Sequence, residues 1–209
     1  MDLGIYLVTD RELCGERGVI DTVARAVAGG VSVVQYREKS APDQEQWREI
    51  AALADVIDAR VPLLINDRLD LAVAARRRGI RVDGVHLGQD DASLADARAA
   101  LGADALIGYS AETIEQITAV DAREADYIGV GAIFATATKT DHPPELGIEG
   151  FAALAGAVDV PCVAIGGVKL DHVRALRDAD AAGVAVVSAI CAAADPEATA
   201  QEFVEAWTV

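Results

Sequence analysis

The segment Asp126-Tyr127-Ile128-Gly129-Val130-Gly131 carries a short apolar run into a small residue. The same design stands at Asp83-Gly84-Val85-His86-Leu87-Gly88 and at Ala182-Gly183-Val184-Ala185-Val186-Val187-Ser188. Each run is apolar throughout rather than alternating, the mark of a strand buried on both faces of a parallel sheet. Working outward from these three, eight such runs are found, at 4–9, 31–37, 62–66, 84–87, 106–109, 127–130, 161–165 and 183–187. Amphipathic stretches such as 21–28, 44–58 and 113–123 lie between them, with apolar residues at three- and four-residue spacing. Asp43, Ser93, Asp171 and the pair Asp195-Pro196 suit the first positions of helices. The echoing segments fall at runs four, six and eight, as quasi-repeated βα pairs would. An open doubly wound sheet would place a Gly-rich fingerprint after the first strand, yet here that strand ends in Thr9-Asp10. The fold class read from the pattern is α/β, a (β/α)8 TIM barrel.

With 209 residues and no Ser/Gly/Pro-rich linker, the chain is expected to form one catalytic barrel domain over residues 1–209. A hydrophobic content of 52% is ample for its core. The net charge of -16, from 34 acidic and 18 basic residues, sets the chain against nucleic acid and anionic lipid. Small molecules are the better partners, and any anionic ligand must be received locally. Scarce lysine beside an acid excess fits a high-salt cytoplasm and a GC-rich genome equally well. Cys14, Cys162 and Cys191 form no CxxC pair and leave an odd thiol, which points to a reducing, cytoplasmic setting. No signal peptide or membrane span is expected from the N-terminus or the strand-sized apolar runs. A homo-oligomer is compatible with the sequence and not specified by it.

In a barrel the chemistry sits at the C-terminal strand ends. The second run ends in Gln35-Tyr36-Arg37-Glu38-Lys39, and alternation turns Gln35, Arg37 and Lys39 to one side, where an amide and two cations can meet an anion. A solvated charge cluster is the plainer alternative. The third run ends in Asn66-Asp67-Arg68 and the fourth in Gln89-Asp90-Asp91. Carboxylates on neighbouring strand ends can share Mg²⁺; each Asp alone reads better as a helix cap, and the two together favour metal. After the sixth run, Thr136-Ala137-Thr138-Lys139 offers hydroxyls and one ammonium to a phosphate, without a Walker motif. Gly166-Gly167 and Val187-Ser188 follow runs seven and eight, where barrels often bind phosphate. His86 reads first as a satisfied core histidine, and Arg76-Arg77-Arg78 as a solvated helix end. No nucleophile motif or zinc spacing is present.

Taken in order, these motifs resemble the thiamine phosphate synthase family from Tyr6-Leu7-Val8-Thr9-Asp10 to Val186-Val187-Ser188-Ala189-Ile190, nearly the whole chain. The specific segments are 35–39, Asn66-Asp67-Arg68, 84–91, Thr136-Ala137-Thr138-Lys139 and Ala164-Ile165-Gly166-Gly167-Val168. The resemblance implies a transferase that joins hydroxymethylpyrimidine diphosphate to thiazole phosphate, releasing pyrophosphate with Mg²⁺ as cofactor. It implies that Gln35, Tyr36, Arg37, Glu38, Lys39, Asn66, Ser110 and Lys139 hold the pyrimidine diphosphate. Thr136, Ala137, Thr138, Gly167, Val187 and Ser188 would receive the thiazole phosphate, and Asp67 and Asp91 the metal. Arg37, Lys39 and Lys139 would stabilise the departing pyrophosphate, a role that needs charge rather than a nucleophile.

Three departures from the family pattern stand out. Tyr36 replaces a usual Leu on the side turned from the ligand. Ala132 and Ala135 stand where prolines are general, which is expected to loosen that loop. The stretch 76–82 is long, at the far end of the barrel. The related thiazole tautomerase, which uses a histidine and no metal, fits less well because both Asp67 and Asp91 are present. A non-catalytic sensor of phosphate ligands and another phosphosugar barrel enzyme are the remaining alternatives.

Overall fold

The eight apolar runs become eight parallel strands that pair in sequence order and close β8 onto β1, in a computed structural model that describes residues 2–136 and 145–209. The strands are β1 (Ile5–Val8), β2 (Val33–Tyr36), β3 (Leu63–Asn66), β4 (Gly84–Leu87), β5 (Leu106–Ala111), β6 (Tyr127–Val130), β7 (Cys162–Ile165) and β8 (Gly183–Val186). Closure explains why the runs do not alternate. Tyr6, Val33, Leu64, Leu106, Tyr127, Val163 and Ala185 fill the barrel axis. Their sequence neighbours Leu7, Val34, Ile65, Ile107, Ile128, Ala164 and Val184 pack outward against the helices. Both faces of these seven strands are therefore largely buried among apolar side chains, while β4 turns His86 inward.

The helices are α1 (Arg11–Cys14), α2 (Gly18–Ala28), α3 (Asp43–Ile57), α4 (Leu69–Arg77), α5 (Leu94–Leu101), α6 (Ile114–Thr118), α7 (Gly147–Ala155), α8 (Val173–Asp178), α9 (Ser188–Cys191) and α10 (Pro196–Thr208). Ser93 caps α5 by accepting from the Asp96 N–H, and Asp195 caps α10 with Pro196 in the first turn. Asp43 is the first residue of α3 rather than its cap, and Asp171 lies inside a 3-10 turn.

Three sequence expectations change. Strand five runs on to Ala111, two residues beyond its apolar run. The stretch 113–123 holds only the five-residue α6, because the Thr118 hydroxyl bonds back to the Ile114 carbonyl and Asp121 builds its own turn, its side chain accepting from the Arg123 N–H. Arg76 is no solvated helix end. Its guanidinium donates to the carbonyls of Val82, Leu101 and Asp83, each at 2.7 Å, and ties the long 76–82 stretch to the N-terminal end of β4, away from the strand ends that carry the motifs. Arg78 stacks on Trp47 at 4.6 Å. Cys14, Cys162 and Cys191 are free and buried. Among the described residues no helix is long and apolar enough to cross a membrane.

Candidate active site

Inward-facing positions of the strands, continued past their C-terminal ends, open into a cavity of about 550 Å³. Gln35, Arg37 and Lys39 line it together, as alternation along β2 requires. Tyr36 and Glu38 do not. Tyr36 points out of the barrel and donates its hydroxyl to Glu49 at 2.6 Å. Glu38 turns to Arg11, at 2.6 Å, and accepts from the N–H groups of Ser40 (2.7 Å) and Ala41 (3.0 Å). Its carboxyl lies down at about 2: burial opposes the shift, but those two N–H groups, Arg11 and the Ser40 hydroxyl outweigh it. Both residues thus shape the loop that carries Arg37 and Lys39 and do not face a ligand.

Asn66, Asp67 and Asp91 enter the cavity from β3 and from the segment after β4. Neither Asp caps a helix. The start of α4 has no side-chain cap, and α5 is capped by Ser93. Asp91 instead accepts from the Gly88 N–H at 2.6 Å, and Asp67 stands in the left-handed backbone region at φ 61°. The two carboxyl groups lie within hydrogen-bonding reach, and Lys39 Nζ is 3.7 Å from Asp67. Burial first, and the Asp91 charge second, raise the pKa of the Asp67 carboxyl above the usual carboxylate range. A divalent cation would relieve that repulsion, and two carboxylates are what Mg²⁺ takes when phosphate oxygens and water complete its shell. Among the described residues no group of three or more His, Cys, Asp or Glu gathers to hold a metal without such help.

Opposite these acids lie Gly166, Gly167, Val187 and Ser188. Ser188 opens the four-residue α9. Both glycines have positive φ, 95° and 64°, and a Cβ on Gly167 would come within 2.5 Å of the Ala135 carbonyl oxygen. Packing against the loop after β6 therefore demands these glycines, whatever ligand they meet. That loop is pinned at its start. Ile133 and Phe134 donate to the carbonyls of Ile165 and Gly166, each at 3.0 Å, and the Ala132 carbonyl accepts from Leu146 at 3.0 Å. At 132–134, where Ala132 stands in place of a general proline, these hydrogen bonds tie the loop to the neighbouring β7 loop and to Leu146. Thr136 lines the cavity; Ala137, Thr138 and Lys139 lie outside the described residues.

The sequence reading missed how much polarity sits on the barrel floor. His86 is buried, its Nδ1 2.8 Å from the Tyr127 hydroxyl and its Nε2 2.9 Å from Ser110 Oγ. Burial pushes the imidazole down to about 4, against a smaller opposing pull from Asp91, so it is neutral at pH 7. It is satisfied, as a core histidine should be, yet it also lines the cavity. Arg37 approaches Asp10 at 3.6 Å, and Gln89 donates to the Ser110 carbonyl at 2.8 Å. No local spacing announces either contact; the parallel pairing of β1 with β2 and of β4 with β5 brings these segments together. The site as a whole offers cations and paired acids, and its one Ser–His contact among the described residues, Ser110 with His86, has the Tyr127 hydroxyl rather than a carboxylate behind the imidazole.

Residues 5–190 match the family model described as thiamine monophosphate synthase. The chain is 48% identical over 195 residues to thiamine-phosphate synthase of Azorhizobium caulinodans, covering 93% of this chain and 90% of that protein. It is 43% identical over 202 residues to the enzyme of the same name from Psychrobacter sp., covering 95% and 92%. Among solved structures, thiamine phosphate pyrophosphorylase from Pyrococcus furiosus superposes with a TM-score of 0.86 at 29% identity, covering 99% of this chain and 96% of that one.

Proposed function

The chain belongs to the thiamine monophosphate synthase family, and from that membership we infer that it is a transferase condensing hydroxymethylpyrimidine diphosphate with thiazole phosphate to give thiamine monophosphate and pyrophosphate. The observation that carries this reading is the division of the cavity. Gln35, Arg37, Lys39, Asn66 and the paired Asp67 and Asp91 occupy one side, and Thr136, Gly167, Val187 and Ser188 the other. One side suits a diphosphate and the other a single phosphate.

The reaction breaks the bond between the pyrimidine methylene carbon and the diphosphate oxygen, whose electron pair leaves with pyrophosphate. The methylene cation is then taken by the thiazole nitrogen lone pair, so that one C–O bond is exchanged for one C–N bond. Arg37 and Lys39 stabilise charge growing on the leaving group, and the family resemblance gives the same role to Lys139, which lies outside the described residues. Asp67 and Asp91 would hold Mg²⁺, which when bound adds positive charge at the diphosphate oxygens. Gln35, Asn66 and Ser110 orient the pyrimidine, while the turns after β7 and β8 seat the second substrate beside it. No covalent enzyme intermediate is needed, because charge stabilisation and positioning carry the step.

The test is a coupled assay for pyrophosphate with both substrates, with and without Mg²⁺. Release that requires both substrates and the metal supports the reading. Isomerisation of the thiazole with no pyrophosphate would overturn it in favour of a tautomerase, and binding without turnover would favour a sensor.

A further inference from the structure

Five side chains from five strands form an unbroken hydrogen-bonded line across the barrel floor. Gln35 Nε2 donates to the Tyr6 hydroxyl at 2.8 Å, Tyr6 meets the Tyr127 hydroxyl at 2.6 Å, and Tyr127 meets His86 Nδ1, whose Nε2 reaches Ser110 Oγ. Tyr6 and Tyr127 are each 1% exposed, so no solvent intervenes along the line. We propose that this line is a one-way relay that fixes His86 as its Nε2–H tautomer and makes Ser110 Oγ a hydrogen donor into the cavity, with Tyr6 and Tyr127 as positioning residues.

The direction follows from counting protons. A phenol has one. The Tyr6 oxygen already accepts from Gln35, so its proton goes to Tyr127. The Tyr127 oxygen thereby becomes an acceptor, and its own proton goes to His86 Nδ1. A neutral imidazole carries a single N–H, which now resides on Nε2 and donates to Ser110. With a lone pair of Oγ taken, the Ser110 proton is turned from His86 toward the cavity. Run in reverse, the line would make Ser110 donate to His86 and face the cavity with lone pairs alone. That face would repel the ring nitrogen of a pyrimidine, whereas the forward face binds it. The proposal rests on the functional reading above only for the identity of that ligand.

Two glycines show that the line is built into the fold. A Cβ on Gly108 would overlap the Tyr127 ring and hydroxyl and come within 2.5 Å of His86 Nδ1, which is the space the Tyr127–His86 bond occupies. A Cβ on Gly129 would lie 3.1 Å from the His86 ring. Inward positions on β5 and β6 are thus left empty for this pair of rings, whose centroids stand 5.5 Å apart.

The test is long-range ¹H–¹⁵N correlation NMR of the full chain, labelled at its three histidines, at pH 7 without substrate. The His86 resonances, assigned by their loss in His86→Gln, are expected to show the Nε2–H tautomer. Tyr127→Phe keeps the ring but withdraws the proton from Nδ1, so the tautomers should mix. Its kcat/KM for the pyrimidine diphosphate should fall about tenfold, with the KM for thiazole phosphate unchanged. Tyr6→Phe should move both readouts the same way. An Nδ1–H tautomer in the unaltered protein overturns the proposal, as does a Tyr127→Phe protein with mixed tautomers and unchanged kinetics. If the Nε2–H tautomer is found and no product forms, the relay stands and the functional reading falls.

Discussion

His86 ties the cavity floor to the pH dependence of stability. In the unfolded chain its imidazole titrates near about 6.5, whereas burial in the barrel takes it down to about 4. Between those values the unfolded state binds the extra proton, so folding stability rises with pH across this window and His86 adds no slope above it. A shift of this size is worth on the order of 3 kcal/mol in full. Urea unfolding from pH 4 to 7 should show that slope in the parent protein and lose it in His86→Gln; parallel curves would mean the imidazole is not held neutral. Asp67 and Asp91 differ, because their instability is mutual and a cation can remove it. Millimolar Mg²⁺ should raise the thermal midpoint by a few degrees through preferential binding to the folded state. Asp67→Asn and Asp91→Asn should each abolish the rise without lowering the midpoint in metal-free buffer. A Mg²⁺ effect that survives both substitutions would remove these two residues from the metal site.

The loop after β2 shows how one element steadies another. Arg11, at the start of α1, contacts Glu38 and Glu45 at 2.6 Å and Glu49 at 2.9 Å, while Glu38, 4% exposed in its side chain, gathers the Ser40 and Ala41 N–H groups. The cations of Arg37 and Lys39 flank Glu38 in sequence, so this knot sets where they stand. Arg11→Ala should cost about 1–3 kcal/mol in urea unfolding and lower kcat/KM for the diphosphate substrate by roughly tenfold or more. Arg11→Lys, which keeps charge but not the planar fork, should recover the stability better than the rate. Full activity in Arg11→Ala would show that the loop holds Arg37 and Lys39 without it. The order of the elements was legible in the sequence because strands buried on both faces leave continuous apolar runs, and because alternation separates Gln35, Arg37 and Lys39 from Tyr36 and Glu38. Contacts between distant strands were not. Tyr6, Tyr127 and His86 meet only because the sheet closes, and the shortness of α6 depends on side chains bonding to their own backbone. Arg76 looked like one more charge at a helix end until three carbonyls around it were in view.

At the scale of the molecule, an excess of sixteen negative charges is spread over a barrel whose cations are largely held in pairs, such as Arg68 with Asp43 and Asp70, Arg25 with Asp21, and Arg123 with Asp121. Salt acts on both features with opposite signs. Screening weakens those exposed pairs, which are worth about 0–1 kcal/mol each, and it also weakens the repulsion among the unpaired acids. With 34 acidic residues against 18 basic ones, repulsion is the larger quantity, and it acts over distances that a Debye length of about 10 Å at 0.1 M leaves unscreened and one of about 3 Å at 1 M does not. The thermal midpoint should therefore climb between 0.05 and 1 M KCl, by about 3–6 °C if the gain is about 1–2 kcal/mol. KCl is the salt to use, because sulfate stabilises by exclusion and also competes for a phosphate site. A flat or falling midpoint would show that the exposed pairs, and not the net charge, govern how this barrel responds to salt.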